Sequence, residues 1–244
     1  MHSRERGLDA RRAPKPGPAW LPRSRTPTRG PEHDLLERAL AVHVWPDGAP
    51  RVVFREPELP TGYPDAVAVF IAEGRRAFPR ERMGLREEHT RVLHHLHTVG
   101  SSTEEDISSL LRLTLAKCQA ILADLARARL LQLTEHVVPE PLEATFVAER
   151  IVAIEAKVSD WRAALRQAVA NTWFASHSCI LLPAERFGPA VRDEARAQGI
   201  GVVTYDGSAT AVAVRAREQE IPASHGSWLV NEWAVRHAGL AVSA

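Results

Sequence analysis

The chain has 244 residues, of which 45% are hydrophobic and 25% are charged, and its formal net charge is +1 at pH 7. This length allows one large domain or two small ones, and the apolar fraction is sufficient for a packed core. No apolar run approaches the roughly 18 residues of a membrane span, and no signal peptide is evident. The two cysteines form neither a metal-binding spacing nor a disulfide framework. We therefore expect a soluble, cytoplasmic protein without a membrane partner.

The charges are unevenly placed along the chain. Residues 1–30 contain eight Arg or Lys residues against two acidic ones, a net charge of +6, so the remainder carries −5. Five prolines also lie in this segment, which shows no apolar periodicity. Such a composition predicts a disordered basic arm that supports non-specific contact with DNA.

The first ordered helix is predicted after Pro31, because apolar residues recur at helical spacing through Leu40. Glu32 lies on the same face of this helix as Leu35 and Leu36, which places a carboxylate at its buried, inner end. A strand is predicted over Arg51–Glu56.

A second strand follows a loop rich in Pro and Gly. It opens with Pro64 and Asp65 and continues through the apolar run Ala66–Phe70. Pro64 and Asp65 could instead form a simple turn, but the strand that continues directly from them favours a carboxylate held at the start of that strand.

The segment 80–140 has a different pattern from its surroundings. Helices are predicted over 85–99, from Thr103 and from Thr114, followed by a hairpin over 130–138. Over about 50 residues this pattern resembles the winged helix-turn-helix domain of bacterial transcription regulators. The resemblance implies that the third helix contacts DNA, and the exposed residues it offers are Lys117, Gln119 and Arg127, with Asp124 among them. Because that surface is weakly basic, a contact with protein or with a second copy is an equal alternative.

Residues 151–173 read as a strand that runs directly into a helix. Alternation in the strand predicts that Glu155 and Lys157 project side by side from one face. Ser159 is the predicted N-cap of the helix. Gln167 lies two turns into the helix, close enough to return towards the strand. Its exposed arginines are predicted to contact nucleic acid; they are Arg162 and Arg166.

The remaining segments alternate between strands and helices. A strand is predicted over Cys179–Pro183, a helix over Arg186–Gln198, and strands over Ile200–Tyr205 and Ala211–Val214. This alternation indicates an α/β core with at least partly parallel pairing. The tail, residues 224–244, is expected to form a last helix on the core or across a dimer.

Two of these motifs resemble those of one nuclease family. Pro64 with Asp65, followed by Glu155-Ala-Lys157, resembles the second and third motifs of the PD-(D/E)xK superfamily. Glu32 resembles its accessory acidic residue, and Gln167 resembles the glutamine that resolvase-like members carry on the following helix. The match covers roughly residues 31–71 and 148–215. One departure is the 90 residues between Asp65 and Glu155, which indicate an insertion.

The resemblance implies a restriction-endonuclease-like mixed sheet flanked by helices. Its core would be discontinuous, comprising residues 31–79 and 141–223, with the winged helix at 80–140 inserted. It also implies that Asp65 and Glu155 bind Mg²⁺ or Mn²⁺ and that Lys157 holds a water molecule or offsets phosphate charge. The function expected on this basis is endonucleolytic hydrolysis of DNA.

Two alternatives from other classes remain at this point. The nuclease-like core could be the inactive scaffold of a DNA-binding or regulatory protein, or the winged helix could dock a protein partner. A homodimer through the winged helix or the C-terminal tail is also expected as an option.

Overall fold

The computed structural model describes residues 22–24, 29–42, 44, 45, 48, 50, 52–71, 78–238, 241 and 242. Most of the predicted arm at 1–30 therefore lies outside the described residues. Where its end is described, it is attached to the body: the Arg23 carbonyl accepts a hydrogen bond from the Glu58 amide at 2.8 Å, and the Ser24 hydroxyl donates to the Arg55 carbonyl. Thus the segment around Ser24 belongs to the folded part and not to a free arm.

Ten strands are assigned within these ranges. They are β1 Val52–Arg55, β2 Ala66–Ile71, β3 Phe78–Pro79, β4 Leu131–Leu133, β5 Val137–Pro139, β6 Ala148–Ala156, β7 His177–Pro183, β8 Gly201–Tyr205, β9 Thr210–Val214 and β10 Ala241–Val242. Eight α-helices accompany them in the same ranges. They are α1 Pro31–Ala41, α2 Glu87–Val99, α3 Glu104–Leu110, α4 Leu115–Arg127, α5 Leu142–Thr145, α6 Trp161–Asn171, α7 Pro189–Gln198 and α8 His225–His237.

Six strands form the central sheet, in the order β1-β2-β6-β7-β8-β9. Strands β6, β7 and β8 are parallel, whereas β1 with β2, β2 with β6 and β8 with β9 pair antiparallel. The expected α/β class with partly parallel pairing is confirmed. The parallel strands are joined by α6 and α7, as parallel neighbours require a crossover connection.

The two faces of the sheet are covered by different helices. On one face, Val152 and Ile154 of β6 belong to the same hydrophobic cluster as Leu35 and Leu36 of α1. On the other face, Ile151 clusters with α8 and with the inserted helices, while Ile180 of β7 clusters with α6 and α7. Because successive strand residues point to opposite faces, Glu155 lies on the face that α6 covers.

Two predicted helix starts were wrong. Asp160, not Ser159, caps α6: its carboxylate accepts a hydrogen bond from the Ala163 amide at 2.9 Å. Helix α7 begins at Pro189 and not at Arg186, because residues 184–186 form a 3₁₀ turn and proline suits the first helical turn.

The segment 80–140 contains the three helices and the hairpin that the sequence predicts. Thr103 and Thr114 are the N-caps of α3 and α4, accepting hydrogen bonds from the amides of Asp106 and Lys117. The buried side chains of these helices belong to the same hydrophobic cluster as those of β2 and β6. The insertion and the sheet therefore share one continuous interior.

Helix α8 holds these two parts together. Eleven of its 13 residues are buried, including Trp228 and Trp233. The expectation of a last helix on the core is confirmed, and the alternative of a tail helix across a dimer is not supported, because the helix is already covered by its own chain. No helix in the described ranges is long and apolar enough to cross a membrane.

Candidate active site

Asp65 and Glu155 face each other across neighbouring strands. Strand β2 pairs with β6 so that Ala66 lies opposite Ile154, and continuing this antiparallel register by one residue places Asp65 opposite Glu155. Directly opposed residues share a face of the sheet. The Asp65 carboxylate is fixed by the next residue of β6, since Oδ2 accepts a hydrogen bond from the Ala156 amide at 2.7 Å. Two carboxylates thus meet at one end of the sheet.

Glu155 is buried and only half satisfied. It is 2% exposed, and Oε1 accepts a hydrogen bond from Nδ2 of Asn171 at 2.7 Å. Its other oxygen, Oε2, is buried and has no hydrogen-bond partner. Burial, followed by the charge of Asp65, raises the pKa of Glu155 to about 8, against the lowering effects of Asn171 and Lys157. At neutral pH this carboxyl group holds a proton unless a cation neutralises it.

The pKa of Asp65 is also raised, chiefly by burial. The hydrogen bond from the Ala156 amide and the charge of Lys157 oppose the rise, while the charge of Glu32 adds to it. Burial therefore disfavours the ionised form of both groups, and the charge of Asp65 further disfavours that of Glu155. Such a pair of carboxyl groups favours a cation beside it.

Lys157 supplies one positive charge, from a position just beyond the end of β6. Its Nζ lies 3.0 Å from Oε2 of Glu32 and 3.2 Å from the Ala156 carbonyl oxygen. Although burial lowers the pKa of Lys157, the hydrogen bond to Glu32 and the charge of Asp65 raise it above its ordinary value. The side chain is therefore an ammonium at neutral pH.

The geometry of Lys157 differs from the sequence prediction in one respect. Strand β6 ends at Ala156, so the alternation that was expected to set Glu155 and Lys157 side by side stops one residue too early. The Lys157 ammonium binds Glu32 of α1, whereas Glu155 is bound by Asn171 of α6 on the other face of the sheet. The two groups meet at the end of the sheet from different sides. Glu32 contacts Lys157, but its side chain is 43% exposed and does not lie at a buried end of α1 as the sequence predicted.

Asn171, not Gln167, is the α6 side chain that contacts Glu155. Gln167 is exposed, one helical turn before Asn171 on the same side, and its side chain makes no hydrogen bond among the described residues. Sequence reasoning missed Asn171. The available signal was its spacing: it continues the buried stripe of Ala164 and Ala168, where a polar residue requires a partner.

The residues predicted to bind nucleic acid fall into two groups. On α4, Lys117 pairs with Glu88 at 2.5 Å, Gln119 donates to Glu104 at 2.9 Å, and Arg127 pairs with Asp124. Each of these three side chains therefore already contacts an acidic side chain of the same chain. On α6, Arg162 and Arg166 are exposed; Arg162 lies over the Trp161 ring at 4.2 Å, and Arg166 makes no ion pair within the described residues.

The site offers few ligands for a metal ion. No group of three or more His, Cys, Asp or Glu side chains that could hold one is found in the described part of the chain. Two carboxylates whose oxygens can still coordinate an ion nevertheless suit Mg²⁺. This ion keeps several waters and is bound through one or two carboxylates plus substrate phosphates. The buried Oε2 of Glu155 is the oxygen that such an ion would satisfy.

Comparisons with known proteins do not assign a family to this arrangement. The chain matches no protein-family model, no curated protein and no solved structure.

Proposed function

We propose that the chain is a Mg²⁺-dependent endodeoxyribonuclease with a restriction-endonuclease-like core. The observation that carries the proposal is Glu155: a buried carboxyl group opposite a second carboxylate, with one oxygen unpartnered and a pKa of about 8. Burying such a pair is unfavourable without a compensating cation. A purely structural role accounts for the hydrogen bonds of Asp65 with the Ala156 amide and of Glu155 with Asn171, but not for the buried, unpartnered Oε2 of Glu155.

The surrounding residues have distinct roles in this proposal. Asp65 and Glu155 hold the metal ion, which when bound lowers the pKa of a coordinated water and neutralises phosphate oxygens. Lys157 offsets negative charge on the phosphate or holds the attacking water. Glu32 fixes the ammonium of Lys157, and Asn171 orients the carboxylate of Glu155 through Oε1.

DNA is the proposed substrate because the chain carries cationic groups that suit phosphate binding. The exposed arginines of α6 follow the strand that carries Glu155, and residues 1–30 add a net charge of +6. Phosphate neutralisation by such groups supplies most of the affinity in non-specific DNA binding. Homodimerisation is not needed for the site, since all of its groups come from one chain.

A second candidate function is favoured by the α4 surface. Its three predicted DNA contacts already bind Glu88, Glu104 and Asp124, so this face of α4 presents little free positive charge. This favours a contact with another protein. A regulatory or interaction protein built on an inactive nuclease-like scaffold would have this surface and would bind without cutting.

The test is cleavage of plasmid, linear and branched DNA by the full chain, with Mg²⁺ or Mn²⁺. Asp65→Asn and Glu155→Gln should lose both cation binding and cleavage, because each variant leaves the ion with one carboxylate. Lys157→Ala should lose cleavage by about a hundredfold or more and keep cation binding. Glu37→Gln, which alters an exposed carboxylate of α1 paired with Arg55, is the matched control and should cut normally.

The two functions give different results in this experiment. Cleavage that survives Asp65→Asn would place the chemistry elsewhere. A wild-type chain that binds DNA, or a protein through its insertion, and cuts no substrate would favour the regulatory function.

A further inference from the structure

The outer face of α6 carries an exposed stripe of two arginines and two apolar residues. Its members are Arg162, Arg166, Val169 and Trp173, spaced by four, three and four residues so that they follow one side of the helix and its C-terminal turn. Trp173 is 71% exposed, the highest value among the large hydrophobic side chains of the described residues. We call these four residues the α6 stripe.

The core does not require Trp173. The inward side of α6 is already filled by Ala164, Leu165 and Ala168, which pack on β7 and β8. The next residue along the chain, Phe174, is 1% exposed and enters the main hydrophobic cluster. An exposed indole beside a completed core has another use, because leaving so large an apolar side chain in water is unfavourable.

The charge of the stripe is of one sign. No Asp or Glu occurs between Trp161 and Glu185, so α6 has two arginines and no carboxylate of its own. Arg166 has no ion pair in the part of the chain that the structure describes, and Arg162 is held over the ring of Trp161. This differs from α4, where each predicted DNA contact is paired with an acidic side chain.

We propose that the α6 stripe binds unpaired nucleotides, so that single-stranded segments of DNA are the preferred substrate. A guanidinium binds backbone phosphates, and an exposed indole stacks on a base whose face is free. In a duplex the base faces are covered by their neighbours, so Trp173 gains little from paired DNA. The stripe spans about 16 Å of helix axis, enough for several phosphates.

The stripe is linked to the candidate active site by its own helix. The outer side of α6 carries the stripe, while the inner side places Asn171 against Glu155. A strand held on the outer side lies about one helix diameter, roughly 10 Å, from the carboxylates. As a statement about substrate choice the inference rests on the proposed nuclease function, but the binding itself requires no cleavage.

The test measures binding in the absence of divalent metal, so that cleavage plays no part. Fluorescence anisotropy is recorded for the full chain with labelled oligothymidine and with a blunt duplex of equal length. Trp173→Ala should weaken oligothymidine binding by about fivefold to 150-fold and change duplex binding by less than about twofold. Trp173→Phe should retain most of the affinity, because a phenyl ring also stacks.

The arginines should behave differently from the tryptophan. Arg162→Ala and Arg166→Ala should weaken binding of both DNAs, and each should reduce the slope of log affinity against log salt by about 0.7 to 0.9. Two surface controls should bind like the wild type: Leu110→Ala, a 66% exposed apolar residue of α3, and Arg192→Ala, an exposed arginine that is paired with Asp193 on α7.

Three results would overturn the proposal: no wild-type preference for oligothymidine, no loss on Trp173→Ala, or an effect of Trp173→Ala on self-association instead of DNA binding. The last would make the stripe a protein contact. If cleavage requires Asp65 but Trp173→Ala leaves oligothymidine binding intact, the role of the α6 stripe is rejected and the nuclease function stands. If oligothymidine binding depends on Trp173 but the chain cuts no DNA, the nuclease function is rejected and the binding role of the α6 stripe stands.

Discussion

Arg82 and Glu232, 150 residues apart in the chain, form a fully buried ion pair. Nη2 of Arg82 lies 2.6 Å from Oε1 of Glu232, and Nε lies 3.1 Å from Oε2. The same Nη2 donates to the Thr145 carbonyl at 2.7 Å. Because Arg82 lies at the start of the segment 80–140 and Thr145 lies just after its end, these contacts bind both ends of the insertion to α8.

Breaking this pair should strongly destabilise the fold. Glu232→Ala leaves the Arg82 guanidinium buried without its counter-charge, and we expect a loss of about 3–5 kcal/mol in the free energy of unfolding. Urea denaturation measures it. Glu37→Ala, which breaks the exposed pair with Arg55, should cost no more than about 1 kcal/mol. Equal losses for the two variants would show that burial of the Arg82 pair has no energetic consequence.

The stability of the chain should depend on pH through Glu155. Its folded pKa of about 8 exceeds its ordinary value of 4.5, so the folded chain binds this proton more tightly than the unfolded chain does. The contribution to stability is complete at low pH and is lost as the pH rises from about 4.5 through about 8, by at most about 1.4 kcal/mol per pH unit.

Glu155→Gln isolates this contribution, since an amide keeps an acceptor for Asn171 and does not titrate. Its free energy of unfolding, minus that of the wild type, should increase between about pH 5 and about pH 8 and then level off. Saturating Mg²⁺ should reduce the difference at the higher pH. A difference that stays constant over this range would mean that Glu155 titrates normally.

Asn171 should lower the pH at which Glu155 titrates in the folded chain. Its hydrogen bond lowers the pKa of Glu155, so Asn171→Ala should move the midpoint of the pH-dependent loss of stability to higher pH. The variant also leaves Oε1 unpaired, at a cost of about 1–3 kcal/mol where Glu155 is ionised. Gln167→Ala, on the same side of the helix but exposed, is the matched control. The role assigned to Asn171 fails if both variants shift the midpoint alike.

Deleting residues 1–21 should weaken DNA binding without affecting the fold. This segment contains five basic and two acidic residues, and the cut spares Ser24, which bonds to Arg55. We expect lower affinity for duplex and single-stranded DNA alike and a flatter salt dependence. Binding titrations at several salt concentrations measure both. Unchanged binding would show that the arm does not contact DNA.

Features set by local sequence were predictable. The N-caps Thr103 and Thr114 follow from the hydroxyl's ability to bond the first free amides of a helix. The opposition of Asp65 and Glu155 was expected only from the resemblance of their motifs to a nuclease family, because strand alternation gives the face of each residue and not which strands pair. Residues close in sequence therefore determine the two caps, whereas the carboxylate pair depends on strands whose residues are 90 positions apart.

Features set by distant residues were not predictable. The pairing of Lys117 with Glu88 joins side chains 29 positions apart on two helices, and that of Asn171 with Glu155 depends on how α6 crosses β6. The central position of helix α8 in the fold was also not predicted, for another reason. It is buried almost all round, so it lacks the one-sided apolar stripe that identifies a surface helix.

The position of α8 has a consequence for synthesis of the protein. The inserted helices and the six strands of the central sheet are synthesised before residues 225–237, so the apolar surface that α8 covers stays exposed until that helix has been made. At ordinary translation rates the interval from residue 140 to residue 237 lasts about 5 to 20 s. A chain that terminates before residue 225 therefore keeps this apolar surface exposed, which favours aggregation.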